Sequence, residues 1–372
     1  MLTEFHYNTF PQEIIFGAGK LERLGEIVAQ YHWSRALVVT TRSQRANGNL
    51  ARVENALGAK LVANYDATQP HVPQKNVDDA TRLAREHNAD VLVALGGGSA
   101  IGVAKATSYR LQSPIPILAI PTTYAGSEVT PVFGVTRERD GMSGTKRLLR
   151  KETVNDPRVA PRVVLYDPQC TLDLPRELTA ATGINAFAHC VEAAYSITRN
   201  PLSSAAAWYG ARRIYHALPR CVENGTDVAA RTEMLQGAYL AGVSLSNVAM
   251  GLHHGVCHVL GGTLNVPHGL ANAIVLPHAI RFNADVCAEQ LAQLARVLGI
   301  EAEGDEIAAQ ELAKRVAQWT HQMQLPSRLR EVGVRETDLD LVAQLAGQSK
   351  MVQNNPKKIS DGELRKFLAE IW

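Results

Sequence analysis

The 372-residue sequence predicts an α/β domain over residues 1–168 followed by an all-helical domain over 169–372. Three observations carry this. Short β-branched runs alternate with helical stretches up to about residue 167, the pattern of a parallel sheet covered by helices. Beyond Pro168 the strand signal stops and long apolar or amphipathic helical patterns follow. The chain is also longer than one core supports, at ~150 residues per domain.

The expected strands are 36–41 (ALVVTT), 60–65, 90–95 (DVLVAL), 115–120 (IPILAI) and 163–166 (VVLY), with a further β-like segment at 6–16. Val77, Ala80, Leu83 and Ala84 recur at helical spacing and predict a crossover helix. Asp167-Pro168 closes the last strand. After it, helices are expected over 177–195, 202–222, 229–249 and 270–282, and the tail at 354–358 (NNPKK) reads as loose.

Composition excludes several classes. Thirty-eight Lys and Arg against thirty-six Asp and Glu give a net charge of +2, so no basic field exists for nucleic acid or an anionic membrane. No run approaches the ~18 apolar residues of a membrane span. The five cysteines are scattered without a C-x-x-C pair, which fits reduced thiols in a cytoplasmic protein rather than a disulfide framework or a zinc knuckle.

Gly96, Gly97, Gly98 and Ser99 follow the strand 90–95 and open a helix. A glycine turn there serves as a plain tight turn, or lets a phosphate approach the amides of a helix N-terminus. Thr122, Thr123, Tyr124 and Ser127 follow the next strand and add hydroxyls at the same sheet edge, where open α/β sheets bind nucleotides. In the second half, His254 and His258 share a helix face, with Gly261-Gly262 expected to end that helix. Asn185 and His189 repeat the four-residue spacing on another helix, and His268 lies on the loop after the second. Imidazoles gathered from two helices build a metal or an acid–base site. His253 points about a quarter-turn away and is either a core residue or a substrate contact.

The motifs GGGSAIGVAKA, PTTYAGSEVTP, LYDPQCT, TGINAFAHCVEA, GLHHGVCHVLGGTLNVPHG and NNPKKIS occur in an order that resembles the iron-containing (group III) alcohol dehydrogenases, of the dehydroquinate-synthase-like fold. The resemblance implies an N-terminal dinucleotide-binding domain, a helical C-terminal domain and an active site between them. It places the family's metal ligands, an Asp and three His, on Asn185, His189, His254 and His268. Asn185 in place of Asp, Gly102 in the glycine motif, Tyr124 in the hydroxyl loop and Thr41 after the first strand all resemble the maleylacetate reductase branch. Two positions depart from it: Gly255 stands where those reductases have Lys, and HGLANA follows Pro267 where they have an acidic residue.

The resemblance implies a reductase of a small unsaturated keto-dicarboxylate, maleylacetate, giving 3-oxoadipate in aromatic-compound degradation. NADH or NADPH is the expected cofactor, bound by Thr41, Arg42, Gly96, Gly97, Gly98, Ser99, Thr122, Thr123, Ser127 and Arg162. No metal is expected; Fe or Zn on the four ligand positions is the alternative. His258 is expected to donate the proton, His189, His254 and His268 to hold the substrate's oxygens, partly as imidazolium, and Tyr124, Asn185 and His253 to complete the substrate site. A homodimer is expected. The competing readings are a metal-dependent alcohol dehydrogenase or aldehyde reductase, a lyase resembling dehydroquinate synthase, and a non-enzymatic nucleotide-binding protein.

Overall fold

The structure is a computed structural model that describes residues 4, 5, 7, 9–111, 113–139 and 148–372, without the side chains of 138, 139 and 148–151. It divides into two compact units. One comprises residues 9–174 with 226–235; the other contains 175–225 and 236–372.

In the first unit, β1 (Glu13–Phe16), β2 (Ala36–Val39), β3 (Leu61–Tyr65), β4 (Val91–Gly96), β5 (Ile117–Pro121) and, beyond a hairpin of β6 (Val132–Arg139) and β7 (Leu148–Asn155), β8 (Val163–Tyr166) are the strands. All but the hairpin form one six-stranded sheet in the order β1-β8-β5-β4-β2-β3, with every pairing parallel. β2, β4, β5 and β8 are buried along their whole length, because helices cover both faces, whereas the edge strands β1 and β3 are half-buried. The covering helices are α1 (Leu24–Gln30), α2 (Arg42–Ala46), α3 (Asn49–Leu57), α4 (Gln74–Glu86) and α5 (Gly98–Arg110). Because the strands are parallel, the segments after β2, β4 and β5 meet at one edge of the sheet.

The second unit is helical: α6 (Arg176–Tyr195), α7 (Pro201–Glu223), the later turns of α8 (Val228–Ser246), α9 (Leu252–Leu264), α10 (His268–Asn283), α11 (Ala288–Val297), α12 (Asp305–Gln322), α13 (Leu339–Gly347), α14 (Lys350–Gln353) and α15 (Asp361–Glu370). Leu252, Val256 and Leu260 of α9 join Ile274, Val342 and Leu368 in its core. No helix among the described residues is long and apolar enough to cross a membrane.

The structure differs from the sequence reading at four places. The first half is not wholly parallel, since β6 and β7 pair antiparallel from Val132 opposite Asn155 to Arg139 opposite Leu148. Within β6, Phe133 and Val135 alternate with more exposed neighbours, the period-two pattern of a half-buried strand. α9 runs through Gly261 and Gly262 and stops at Asn265, whose left-handed φ of 56° supplies the cap that two helical glycines do not. The tail is not loose: Asn355 is fully buried, exchanges hydrogen bonds with Asn283 at 2.7 and 3.3 Å, and accepts from the Leu252 N–H at 3.1 Å. Of the N-terminal β-like segment only Glu13–Phe16 is a strand, and His6 lies outside the described residues.

Candidate active site

The cofactor residues named from sequence gather, with one exception, at the C-terminal edge of the sheet. Thr41 and Arg42 follow β2, Gly97 and Gly98 begin α5 after β4, and Thr122 to Ser127 follow β5. A Cβ on Gly97 would lie 2.8 Å from the Thr123 side chain, so glycine turn and hydroxyl loop touch, and no N-cap side chain bonds the first amides of α5. Thr122 is locked: its N–H donates to the Gly96 carbonyl at 3.1 Å, and its hydroxyl accepts from Gln44 Nε2 at 3.2 Å. The buried ammonium of Lys105 ties the loop to α5 by donating to the carbonyls of Ser127, Thr130 and Val132 at 2.6, 2.6 and 3.0 Å. These residues fit a dinucleotide.

Arg162 is the exception and a correction. It precedes β8, so it sits at the N-terminal edge of the sheet, where its guanidinium donates to the Pro11 carbonyl and lies over the Tyr31 ring. A four-residue parallel strand carries the chain ~13 Å from one edge to the other, which is why it does not join the glycine turn. Tyr124 is fully buried, with its hydroxyl accepting from Arg231 at 2.8 Å.

In the helical unit the imidazoles come together. α6 carries Asn185, His189 and Glu192 at spacings of four and three residues, hence on one face. The His189 ring stacks on that of His254 with centroids 4.7 Å apart, and His268 lies 6.1 Å from His254 and 5.5 Å from His258. His268 is the first residue of α10 rather than part of a loop, and is half-buried; His258 is exposed. His253 is wholly buried, its Nε2 facing the Asn272 carbonyl and its Nδ1 facing His254 Nδ1, each at 3.2 Å, so neither nitrogen is left for a substrate.

Glu192 was missed in the sequence. Its carboxylate accepts the N–H groups of Gly251 and His253 at 3.1 and 3.0 Å, and its Oε2 lies 2.6 Å from His254 Nδ1. A carboxylate inside the otherwise apolar run of α6, three residues after His189, was the available signal. With Asn355 it satisfies the amides at the start of α9 and so fixes the helix that presents three imidazoles.

Burial pushes His253 and His254 down to about 3 and His189 well below the ordinary imidazole range, each with a contribution from neighbouring His rings. The attraction for a dianion expected from imidazolium is therefore not supplied by these three, which are neutral at pH 7. Burial raises the Glu192 carboxyl, opposed by His253 and the amides it accepts from.

Among the described residues, Asn185 Oδ1, His189 Nδ1 and His254 Nε2 are buried atoms without a hydrogen-bond partner, as metal ligands would be. The charge of the set is low for a divalent ion. Asn185, His189, His254 and His268 are neutral donors, and the nearby carboxylate, Glu192, is already taken up by His254 and the α9 amides. Glu192, His253 and His254 bring potential ligand atoms within 4.8 Å of one another, but those atoms face each other in hydrogen bonds. Without an anionic ligand among the four positions, the set holds a divalent ion less tightly than an Asp and three His would.

Comparison with known proteins agrees with both units. The chain is 42% identical over 296 residues to a maleylacetate reductase of Sphingobium indicum, covering 80% of each chain. It is 38% identical over 359 residues to a maleylacetate reductase of Burkholderia cepacia, covering 96% of this chain and 95% of that one. The crystal structure of maleylacetate reductase from Agrobacterium tumefaciens superposes with a TM-score of 0.87 at 34% identity, covering 100% and 99%. Residues 11–168 match the family described as iron-containing alcohol dehydrogenase, and residues 179–372 the Fe-containing alcohol dehydrogenase family, C-terminal. With a dinucleotide-type sheet edge and an imidazole cluster in one chain, the protein is an oxidoreductase that belongs to the iron-containing alcohol dehydrogenase family.

Proposed function

We propose that the protein reduces a small unsaturated keto-dicarboxylate with NADH or NADPH, maleylacetate to 3-oxoadipate being the reaction that fits best, and that it does so without a bound metal. The observation that carries this is the donor set: Asn185 stands, among imidazoles, at the ligand position expected to be anionic. The identity to named maleylacetate reductases supports the substrate.

The reduced nicotinamide supplies a hydride when bound. In the substrate an alkene is conjugated to a ketone. Hydride addition at the alkene carbon remote from the ketone shifts an electron pair onto the ketone oxygen, and a proton then adds to the carbon next to the ketone. An enolate spread over several atoms needs hydrogen bonds rather than a Lewis acid. In this reading His189, His268 and the Asn185 amide hold the substrate's oxygens. His258, exposed on α9 and 5.5 Å from the His268 ring, gives the proton. The unpaired, buried cysteines support a reducing, cytoplasmic setting. The position of β1 as an edge strand of the sheet among the described residues supports a homodimer.

One observation favours a metal-dependent aldehyde reductase instead, the bare buried atoms Asn185 Oδ1, His189 Nδ1 and His254 Nε2. Assaying maleylacetate, simple aldehydes and 1,2-diols with both cofactors, alongside elemental analysis, separates the two. Maleylacetate turnover that survives chelation is expected. Stoichiometric zinc or iron, with activity lost on stripping and regained on re-addition, would replace this reading, as would aldehyde reduction without turnover of maleylacetate.

A further inference from the structure

We propose that Glu192 is a positioning residue that holds His254 in the tautomer protonated on Nδ1, so that His254 meets the site through a bare Nε2, as a hydrogen-bond acceptor. Two independent observations lead there. The first is the carboxylate's surroundings. Its Oε1 accepts from the Gly251 and His253 amides at 3.1 and 3.0 Å, and its Oε2 lies 3.3 Å from the His254 amide and 2.6 Å from His254 Nδ1. A carboxylate that takes the first amides of a helix acts there as an acceptor, so its 2.6 Å contact with the ring is made by a proton on Nδ1. The second is His253. Its Nε2 faces the Asn272 carbonyl at 3.2 Å, which can only accept, so His253 carries its proton there and leaves Nδ1 bare. That bare nitrogen lies 3.2 Å from His254 Nδ1, and two lone pairs at this distance would repel; a proton on His254 Nδ1 satisfies both neighbours.

His254 Nε2 is then a buried lone pair with no partner among the described residues. A substrate carboxylate or carbonyl oxygen placed there would face lone pair against lone pair. Nε2 instead takes a donor, a water or a hydroxyl, while the substrate's oxygens go to the other imidazoles and Asn185. This reassigns His254 from the oxygen-holding role expected from sequence. It rests on the proposed reduction only for its kinetic consequence.

The test is long-range proton–nitrogen correlation NMR of the intact enzyme labelled with ¹⁵N-histidine, with His254 assigned by the signals missing from His254→Gln. The expected wild-type spectrum has a protonated Nδ1 and a bare Nε2 on His254. In Glu192→Gln the amide oxygen still faces the Gly251 and His253 amides, which turns its NH₂ toward His254 Nδ1 and moves the ring proton to Nε2. The nitrogen pattern should invert and kcat fall by roughly tenfold or more with NADH affinity unchanged, while Glu192→Asp, which keeps the charge, should retain the wild-type pattern. A wild-type His254 protonated on Nε2 overturns the proposal even if Glu192→Gln does not fold. If the tautomer is as stated but maleylacetate is not reduced, the functional reading fails and this inference stands; if maleylacetate is reduced by an enzyme with the opposite tautomer, the reverse holds.

Discussion

Gly97→Ala probes the contact between the glycine turn and the hydroxyl loop. The residue's φ of −85° is open to alanine, so the cost is spatial rather than torsional. The new Cβ would lie 2.8 Å from both Cγ2 and Oγ1 of Thr123 and 3.4 Å from its Cβ. Bringing the first two to the 3.4 Å at which ordinary contact begins requires the loop and turn to part by about 0.6 Å, the difference between 3.4 and 2.8 Å. Rotating Thr123 gives little relief, since its branched Cβ swings one heavy atom in as another leaves. Overpacking of this kind costs about 1–3 kcal/mol, or roughly 5- to 150-fold in binding at ~1.4 kcal/mol per decade. NADH affinity, measured by fluorescence titration, is expected to fall within that range while the fold is retained. In Gly97→Ala/Thr123→Ala both 2.8 Å contacts vanish, and most of the loss should return. Gly97→Ala binding NADH within threefold of wild type would show that the two loops do not constrain the cofactor, and a double variant no better than the single would move the cause from Thr123 to the phosphate's own approach.

Arg42 is exposed and without a hydrogen-bond partner among the described residues, whereas Arg45 on the same helix is held by Asp66; Arg42→Ala should therefore lower kcat/KM for NADPH by roughly tenfold or more, a charge-assisted hydrogen bond, and leave NADH unchanged, and equal losses with both cofactors would sink that assignment. His258→Ala should reduce kcat by a factor on the order of 10² to 10⁴ with NADH affinity intact, and a value within threefold of wild type would remove His258 as proton donor. Acid should destabilise the helical unit: unfolded imidazoles take up protons near 6.5 but buried His253 and His254 only at about 3, so between those values the unfolded chain binds more protons and stability falls as pH drops, by up to about 1.4 kcal/mol per pH unit for each imidazole. Thermal midpoints at pH 7 and pH 5 test this, with His253→Gln expected to lose less than wild type; equal losses would refute it.

What the sequence made legible was periodic or local. β8 was bounded correctly because a fully buried strand is a continuous apolar run between breakers, and α6 and α7 because their patterns span many turns. The imidazole cluster was legible because unusual residues at four-residue spacing on separate helices have few ways to meet. The hairpin escaped because Arg137, Lys151 and Glu152 dilute its alternation. Glu192 escaped because its partners are amides and a ring some sixty residues away, at separations of 59, 61 and 62. Arg162 was misplaced for a complementary reason: its neighbourhood in sequence says nothing about which end of a parallel strand it occupies.

Gly255 shows how such long-range packing limits what the family resemblance can transfer. It follows His254, at the position where the resemblance puts Lys in the maleylacetate reductase branch. Here a Cβ would lie 2.5 Å from Val352 Cγ2, 3.1 Å from the Val352 amide nitrogen and 3.3 Å from Met351 Cβ, because α14 rests directly on α9. The first contact can be relieved by rotating Val352; the second is backbone and can only be relieved by displacing α14, whose neighbour Asn355 helps secure the start of α9. Gly255→Lys is thus expected to lower the thermal midpoint and raise KM for the dicarboxylate rather than improve it, at an overpacking cost of about 1–3 kcal/mol. Gly255→Lys/Val352→Ala should recover part of the midpoint, since it removes the Cγ2 contact and leaves the backbone one. A Gly255→Lys enzyme with an unchanged midpoint and a lower KM would mean that α14 yields freely and that the missing cation can be restored by one substitution; the packing of α14 on α9 argues that the substrate's charge is met in this chain by other groups.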